Sequence, residues 1–348
     1  MLQVFWEQCN QKQQDQGTSA SSAVPDEKQE LSALEQTVIQ SGKITLDDIA
    51  GLEEAKMLLK EAIVLPLQYP HLFVGKRKPW RRILLYGPPG TGKSRMAQAI
   101  SSEIDSKFYS VSSSDLLSSW FGESEKMIRE LFENARLQEG KAIIFIDEID
   151  SLCRKRESKE AETTRRVKTE LLKQLEGANQ LSHVDVFFIC ATNCPWELDT
   201  AFLRRFEKRI YLALPDRKAR HALLKIFTGE IQLELKEDEL TDFLDQTEGY
   251  SGSDIRTCVS DALLEPIREL QEATHWKWSE DKTSLTPCEG TDLNAVALRM
   301  NSIPREKVQP RCVNHSDLVK SLAANHSTIS QEELQRYEDF TNTYGQMG

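Results

Sequence analysis

One octapeptide constrains this chain more than any other feature. Gly87-Pro88-Pro89-Gly90-Thr91-Gly92-Lys93-Ser94 follows a short apolar run, Ile83–Tyr86, and opens a helical pattern from about Lys93. It fits the phosphate-loop spacing in full. Glycines let the backbone wrap close to phosphate oxygens with its N–H groups inward, and the helix N-terminus adds positive potential. In such a loop Lys93 reaches the β- and γ-phosphates and Ser94 ligates Mg²⁺. A plain Gly-Pro turn is the bland alternative, and the strand-to-helix setting argues against it.

The neighbouring pattern is that of an α/β domain. Phe108–Val111 and Ile210–Leu214 read as further strands, the latter stopped by Pro215. Ala142–Ile146 and Val186–Ala191 are apolar at nearly every position, as parallel strands buried on both faces should be. Met127, Ile128, Leu131, Phe132 and Ala135 form a helical stripe, and Leu171, Leu172 and Leu175 mark another helix. Strands alternating with helices imply a parallel sheet covered on both faces. After Pro215 the pattern becomes helical, over Ala219–Phe227 and Ser253–Glu272, without intervening strands. Residues 281–316, with Pro287, Pro304 and Pro310, read as an irregular or β-containing insertion. Leu318–Leu322 resumes helix and Gln331–Tyr344 is a polar terminal helix. The expected organisation is therefore a large domain over 44–215, a helical lid over 216–330 with its insertion at about 281–316, and a C-terminal helix over 331–348. Residues 11–30 are rich in Gln, Ser, Asp and Glu and make 1–43 a flexible segment, in which Leu31, Leu34 and Val38 suggest a short helix.

Several residues fall where chemistry belongs in such a sheet. Asp147-Glu148 follows the buried strand Ala142–Ile146, at the strand end where open α/β sheets bind ligands. There Asp147 would hold Mg²⁺ through water and Glu148 would act as general base on the attacking water, or the pair would simply cap the next helix. Asn193 ends Val186–Ala191-Thr192 and is either a water-orienting amide or a turn residue before Pro195. Arg204 and Arg205 precede the last strand; an arginine supplied in trans can raise phosphoryl-transfer rates by about 10³–10⁵, whereas spacing alone favours a solvated or salt-bridged pair. Trp120-Phe121-Gly122 is either an exposed aromatic binding tip or a hydrophobic staple onto the next helix.

Composition removes other classes. A net charge of -11 disfavours nucleic acid as the main partner. The basic run Lys76–Arg82 accordingly reads as a solvated or subunit-contact face; a nucleic-acid remodeller would show steep salt dependence. The longest apolar runs are strand-sized, too short for a bilayer span, and the N-terminus lacks a secretory pattern. The seven cysteines have no paired spacing. A metal at Cys190 and Cys194 would lack nearby ligands, so they read as reduced thiols in a cytosolic compartment.

The segments ITLDDIAGLEEAK, RRILLYGPPGTGKS, SVSSSDLLSSWFGESEK, AIIFIDEIDSLC, FFICATN, FLRRFEKRIYLALPD and TEGYSGSDI make the chain resemble the meiotic clade of AAA ATPases. DALLEPIRELQEATHW, the SLTPC stretch and the terminal YEDFTNTYGQMG resemble the vacuolar protein sorting-associated protein 4 family, which disassembles ESCRT-III filaments. The resemblance runs from about Ile44 to the C-terminus. It implies an ATP- and Mg²⁺-dependent enzyme in a homo-oligomeric ring, a hexamer, with an ESCRT-III-type substrate and an activating protein. It implies no direct nucleic acid, and a cytoplasmic location with endosomal membrane association only through partners. It casts Asn193 as the sensor and Arg204 and Arg205 as fingers on the neighbour's nucleotide. Trp120 and Phe121 fall on the first pore loop and Arg156 on the second; Asp48, Ala50, Gly252 and Ser253 border the adenine. Ser119 stands where the family usually has a lysine, which weakens a charge-based grip. Residues 1–43 are too short for the family's three-helix microtubule-interacting and trafficking domain with a linker. The alternatives are a microtubule-severing ATPase with the same engine and an ATP-binding regulatory module without productive remodelling.

Overall fold

The computed structural model describes residues 38–39, 44–118, 123–137, 140–154, 162–177, 185–279, 282–292 and 294–345. Leu31, Leu34, Ser119, Trp120, Phe121 and Arg156 lie outside the described residues.

The first half alternates strand and helix. In chain order it contains β1 (Val38–Ile39), α1 (Glu53–Leu59), α2 (Leu65–Gln68), β2 (Arg82–Tyr86), α3 (Lys93–Glu103), β3 (Lys107–Ser112), α4 (Ser113–Ser118) and α5 (Glu123–Leu137). There follow β4 (Lys141–Asp147), α6 (Ile149–Cys153), α7 (Glu162–Gly177), β5 (Asp185–Thr192), α8 (Thr200–Leu203) and β6 (Lys208–Tyr211). The sheet order is β1-β3-β4-β5-β2-β6. All ladders are parallel except that of β1, which pairs antiparallel with β3. Strand order reverses at β2, so the crevice beyond the C-terminal ends of β2 and β5 is the switch point where such sheets bind ligands.

The sheet is held from both faces. Ile83, Leu85, Ile143, Phe145 and Ile189 pack with Met96 and Ile100 of α3 and Leu59 and Ile63 of the α1–α2 segment. On the opposite face Phe132 of α5 meets Phe188, which stacks on Phe206, with ring centroids 5.6 and 6.5 Å apart. Each such side chain contributes about 1.5–3 kcal/mol by leaving water, which is why β4 and β5 tolerate apolar residues on both faces.

The second half is α9 (Arg217–Thr228), β7 (Leu233–Glu234), α10 (Glu237–Gln246), α11 (Gly252–Glu272), β8 (His275–Trp278), β9 (Leu285–Pro287), β10 (Val296–Ala297), β11 (Val313–Asn314), α12 (His315–Ala324) and α13 (Gln331–Tyr344). The helices α9 to α12 enclose a core of Leu224, Phe243, Ile255, Val259 and Leu318. The three-stranded insertion β10-β8-β9 grows from the end of α11 around Trp276, which is fully buried and donates its indole N–H to the Leu298 carbonyl at 3.0 Å.

Five expectations are corrected. Val38 is not helical: with Ile39 it forms β1, because two β-branched residues suit the open edge of β3 and pairing there satisfies its backbone groups. That strand also brings residues before Ile44 into the large domain's sheet, so 1–43 is not flexible throughout. The last strand stops at Tyr211, short of Leu214, because β2, its one partner among the described residues, ends at Tyr86. The helical lid does contain strands, since β7 pairs in parallel with β11, and the insertion begins at His275, before residue 281.

Candidate nucleotide site

The phosphate loop needs glycine at defined places. A Cβ on Gly87 would lie 2.2 Å from the Leu212 carbonyl oxygen, and one on Gly90 would lie 2.6 Å from both Ser251 Oγ and Ser253 Cβ. The backbone of Gly90 and Gly92 is left-handed, with φ of 75° and 89°. Thr91 Oγ1 donates to the Pro88 carbonyl at 2.9 Å. Lys93 is buried and donates to the carbonyls of Gly87 and Pro88 at 2.9 and 2.8 Å. Burial lowers its pKa to about 8, opposed by the charges of Asp147 and Asp150. A buried ammonium bonded only to loop carbonyls is suited to receive phosphate oxygens.

The strand ends supply the rest. Ser94 Oγ donates to Asp147 Oδ2 at 2.5 Å, so the two oxygen donors expected to hold Mg²⁺ already adjoin. Hard oxygen ligands in contact at a phosphate-loop helix suit that ion. Glu148 has φ 51°, uncommon for a residue other than glycine, and Ser113 Oγ donates to its carbonyl at 2.6 Å. A left-handed non-glycine residue of this kind is backbone strain of the sort found at functional sites. Asn193 follows β5 and faces the same cleft. Its backbone is fixed from below: Thr192 Oγ1 donates to Asp150 Oδ1 at 2.6 Å and accepts from Cys194 N–H at 3.0 Å.

One cleft of about 440 Å³ is lined by Asp48, Ala50, Pro89–Ser94, Asp147, Glu148, Asn193, Gly252 and Ser253. The Asp48 carboxylate is committed to its own turn, accepting from Thr45 N–H and Oγ1 at 2.7 and 2.9 Å. Ser253 N–H donates to the Gly90 carbonyl at 3.2 Å, joining lid to phosphate loop. The sequence reading missed the apolar wall of Ile49, Leu52, Leu223, Ile226 and Phe227, and Arg256. Their signal was available: Leu223, Ile226 and Phe227 recur at helical spacing, and Arg256 lies a turn beyond Gly252-Ser253. Gly87 and Pro88 shape the loop from outside the lining. Arg204 and Arg205 are also outside it; Arg204 is exposed and Arg205 pairs with Glu176.

Two other readings change. In the basic run, Arg82 bonds Glu207 and the Leu175 carbonyl, and Trp80 lies under the Lys208 ammonium at 4.0 Å, so part of that run is structural. Cys194 does have ligand atoms nearby, from Asp150 and Glu197. Both are engaged otherwise, by Thr192 and Arg154, and Cys190 is fully buried away from them. The six cysteines among the described residues form no disulfide with one another.

Residues 83–214 match the model of the ATPase family associated with various cellular activities (AAA). Residues 238–278 match the AAA+ lid domain, and 285–345 the Vps4 C terminal oligomerisation domain. The chain is 42% identical to mouse (Mus musculus) vacuolar protein sorting-associated protein 4B, over 97% of this chain and 79% of the relative. The chain belongs to the vacuolar protein sorting-associated protein 4 family of AAA ATPases. Identity is also 42% with vacuolar protein sorting-associated protein 4 of Dictyostelium discoideum, over 93% of this chain and 75% of that one. Among solved structures, the FIGL-1 AAA domain in complex with ADP superposes with a TM-score of 0.76 at 32% identity, covering 94% of this chain and 100% of that domain. The chain is thus an ATPase built as an AAA module with a lid. No helix among the described residues is long and apolar enough to cross a membrane.

Proposed function

We propose that this ATPase disassembles ESCRT-III filaments, with hydrolysis occurring between neighbouring copies of a ring. The observation that carries the chemistry is the convergence of Lys93, Ser94–Asp147, Glu148 and Asn193 on one cleft. Lys93 binds the β- and γ-phosphates once they displace the Gly87 and Pro88 carbonyls from its ammonium. Ser94, and Asp147 through water, would hold Mg²⁺, which would supply neutralisation of phosphate charge. Glu148 takes a proton from water as that water attacks the γ-phosphorus, and Asn193 orients the same water. The bond from the γ-phosphorus to the β–γ bridging oxygen breaks, leaving ADP and phosphate.

Arg204 and Arg205 complete the neighbouring copy's site. Their place outside their own cleft fits action in trans, and Arg205 would exchange Glu176 for the neighbour's phosphate. The match to an oligomerisation domain supports self-assembly; the six-membered ring, the activating protein, grip by Trp120, Phe121 and Arg156, and endosomal recruitment through partners belong to this proposal.

Pre-formed ESCRT-III filaments, followed by sedimentation with phosphate release in the same tube, test it. Loss of filaments with ATP but not with Glu148→Gln is expected. Phosphate release with intact filaments would reject this substrate and keep the enzyme.

A further inference from the structure

We infer that α13 positions the catalytic strand ends, and that the Tyr337 hydroxyl sets the Asn193 peptide. This rests on the reading of Asn193 as the water-orienting residue. α13 leaves the lid and packs back on the large domain, with Tyr337 and Phe340 buried. The Tyr337 hydroxyl donates to the Asn193 carbonyl. The Tyr337 ring lies 4.9 Å from Trp196, just past the Asn193 turn, and stacks on Tyr211 of β6 at 6.0 Å. Arg336 lies over the Trp196 ring, 4.0 Å from its centre.

One turn further on, the same helix grips the strand that feeds the phosphate loop. Thr341 Oγ1 donates to the Tyr337 carbonyl at 2.7 Å, so its hydroxyl oxygen accepts from Tyr86 at 2.9 Å. Tyr86 is fully buried and immediately precedes Gly87. Arg209 reaches the Tyr344 carbonyl at 2.8 Å. One helix therefore bonds to the residue just past β5, to the last residue of β2 and to Arg209 within β6.

The Asn193 peptide is bounded on two sides. Asp150 holds Thr192 and, through it, Cys194 N–H; Tyr337 holds the intervening carbonyl. A peptide plane fixed at both neighbours and at its own oxygen has little freedom to rotate. The Asn193 amide is then pre-aimed and need not be ordered in the transition state, where misplacement costs rate and leaves ground-state binding intact. Tyr337 touches no reacting atom and is a positioning residue.

The test is Tyr337→Phe, which keeps the ring contacts and removes the hydroxyl. ATPase kinetics are measured on full chain whose ATP-dependent assembly is checked by sedimentation velocity. We expect kcat to fall about five- to tenfold, the scale of one neutral hydrogen bond, with KM for ATP and assembly unchanged. Asn193→Ala should also lower kcat, and adding Tyr337→Phe to it should cause no further loss. Wild-type kcat in Tyr337→Phe beside a crippled Asn193→Ala overturns the inference alone. A full further loss in the double variant, or a loss accounted for by KM or assembly, does the same. Normal hydrolysis by Asn193→Ala removes the role of Asn193 and the inference together.

Discussion

Lys93 sits where a charge is wanted and water is scarce. Burial lowers its pKa to about 8 in the free protein, and bound phosphate would raise it. Below that pH the ammonium is already charged, so nucleotide enters without proton exchange. Above it, binding must add a proton, so affinity should fall as pH rises from 8. Calorimetry of nucleotide binding at pH 9 in buffers of different ionisation enthalpy should show proton uptake, absent in Lys93→Met. Gly90 gives a second expectation at this scale. Gly90→Ala puts a methyl 2.6 Å from Ser251 and Ser253 on a left-handed backbone, so thermal denaturation should show a loss of about 1–3 kcal/mol and nucleotide binding should weaken. The placing of the phosphate loop, Asp147 and Glu148 in one cleft was legible because strand ends are where an open α/β sheet binds ligands. The apolar wall was not, because Ile49 and Phe227 come from distant segments and only folding makes them neighbours.

At the scale of elements, the buried strands were plain because both faces are covered. Ends were harder: Ile210–Leu214 is apolar throughout, yet its ladder lasts only as long as β2 supplies partners. Val38 continued a helical spacing by coincidence and was claimed by the free edge of β3. The lid's joint to its insertion makes its own prediction. Arg311 bonds Glu269 of α11 and both carboxylate oxygens of Asp317 in α12, at 2.6 to 2.7 Å. Burial pushes the Asp317 carboxyl up, but hydrogen bonds from Arg311 and Asn314 outweigh it and the net shift is downward. Its stabilisation is therefore present above the ordinary carboxylate pKa of about 3.9 and is lost as pH falls through the lowered folded value. Arg311→Ala leaves a fully buried carboxylate short of its partner and should cost about 3 kcal/mol near neutrality. Denaturant titrations should show that gap narrowing below about pH 4.

At the scale of the whole molecule, the engine and the grip should separate. Glu148→Gln should bind ATP, accumulate as assembled rings and barely turn over, by sedimentation and phosphate release. Trp120→Ala should keep basal ATPase while filaments persist; unchanged filament loss would reject its role in the pore. The pore and finger assignments come from family likeness more than from local pattern. Pore and finger residues would act across a subunit boundary, and nothing in one chain's periodicity records where a second copy will stand.

The lid's longest helix has one end at the nucleotide and the other at the insertion. α11 starts at Gly252-Ser253, bonded to the Gly90 carbonyl, and runs 21 residues to the base of the β strands. At 1.5 Å per residue that is a rod of about 30 Å. Its first turn lines the nucleotide cleft and its last turn carries the insertion. A tilt of roughly 10° at Gly90 would carry the far tip through roughly 5 Å on that length. An ångström-scale shift at the phosphate loop would thereby become a displacement as long as one turn of helix on the opposite side of the lid.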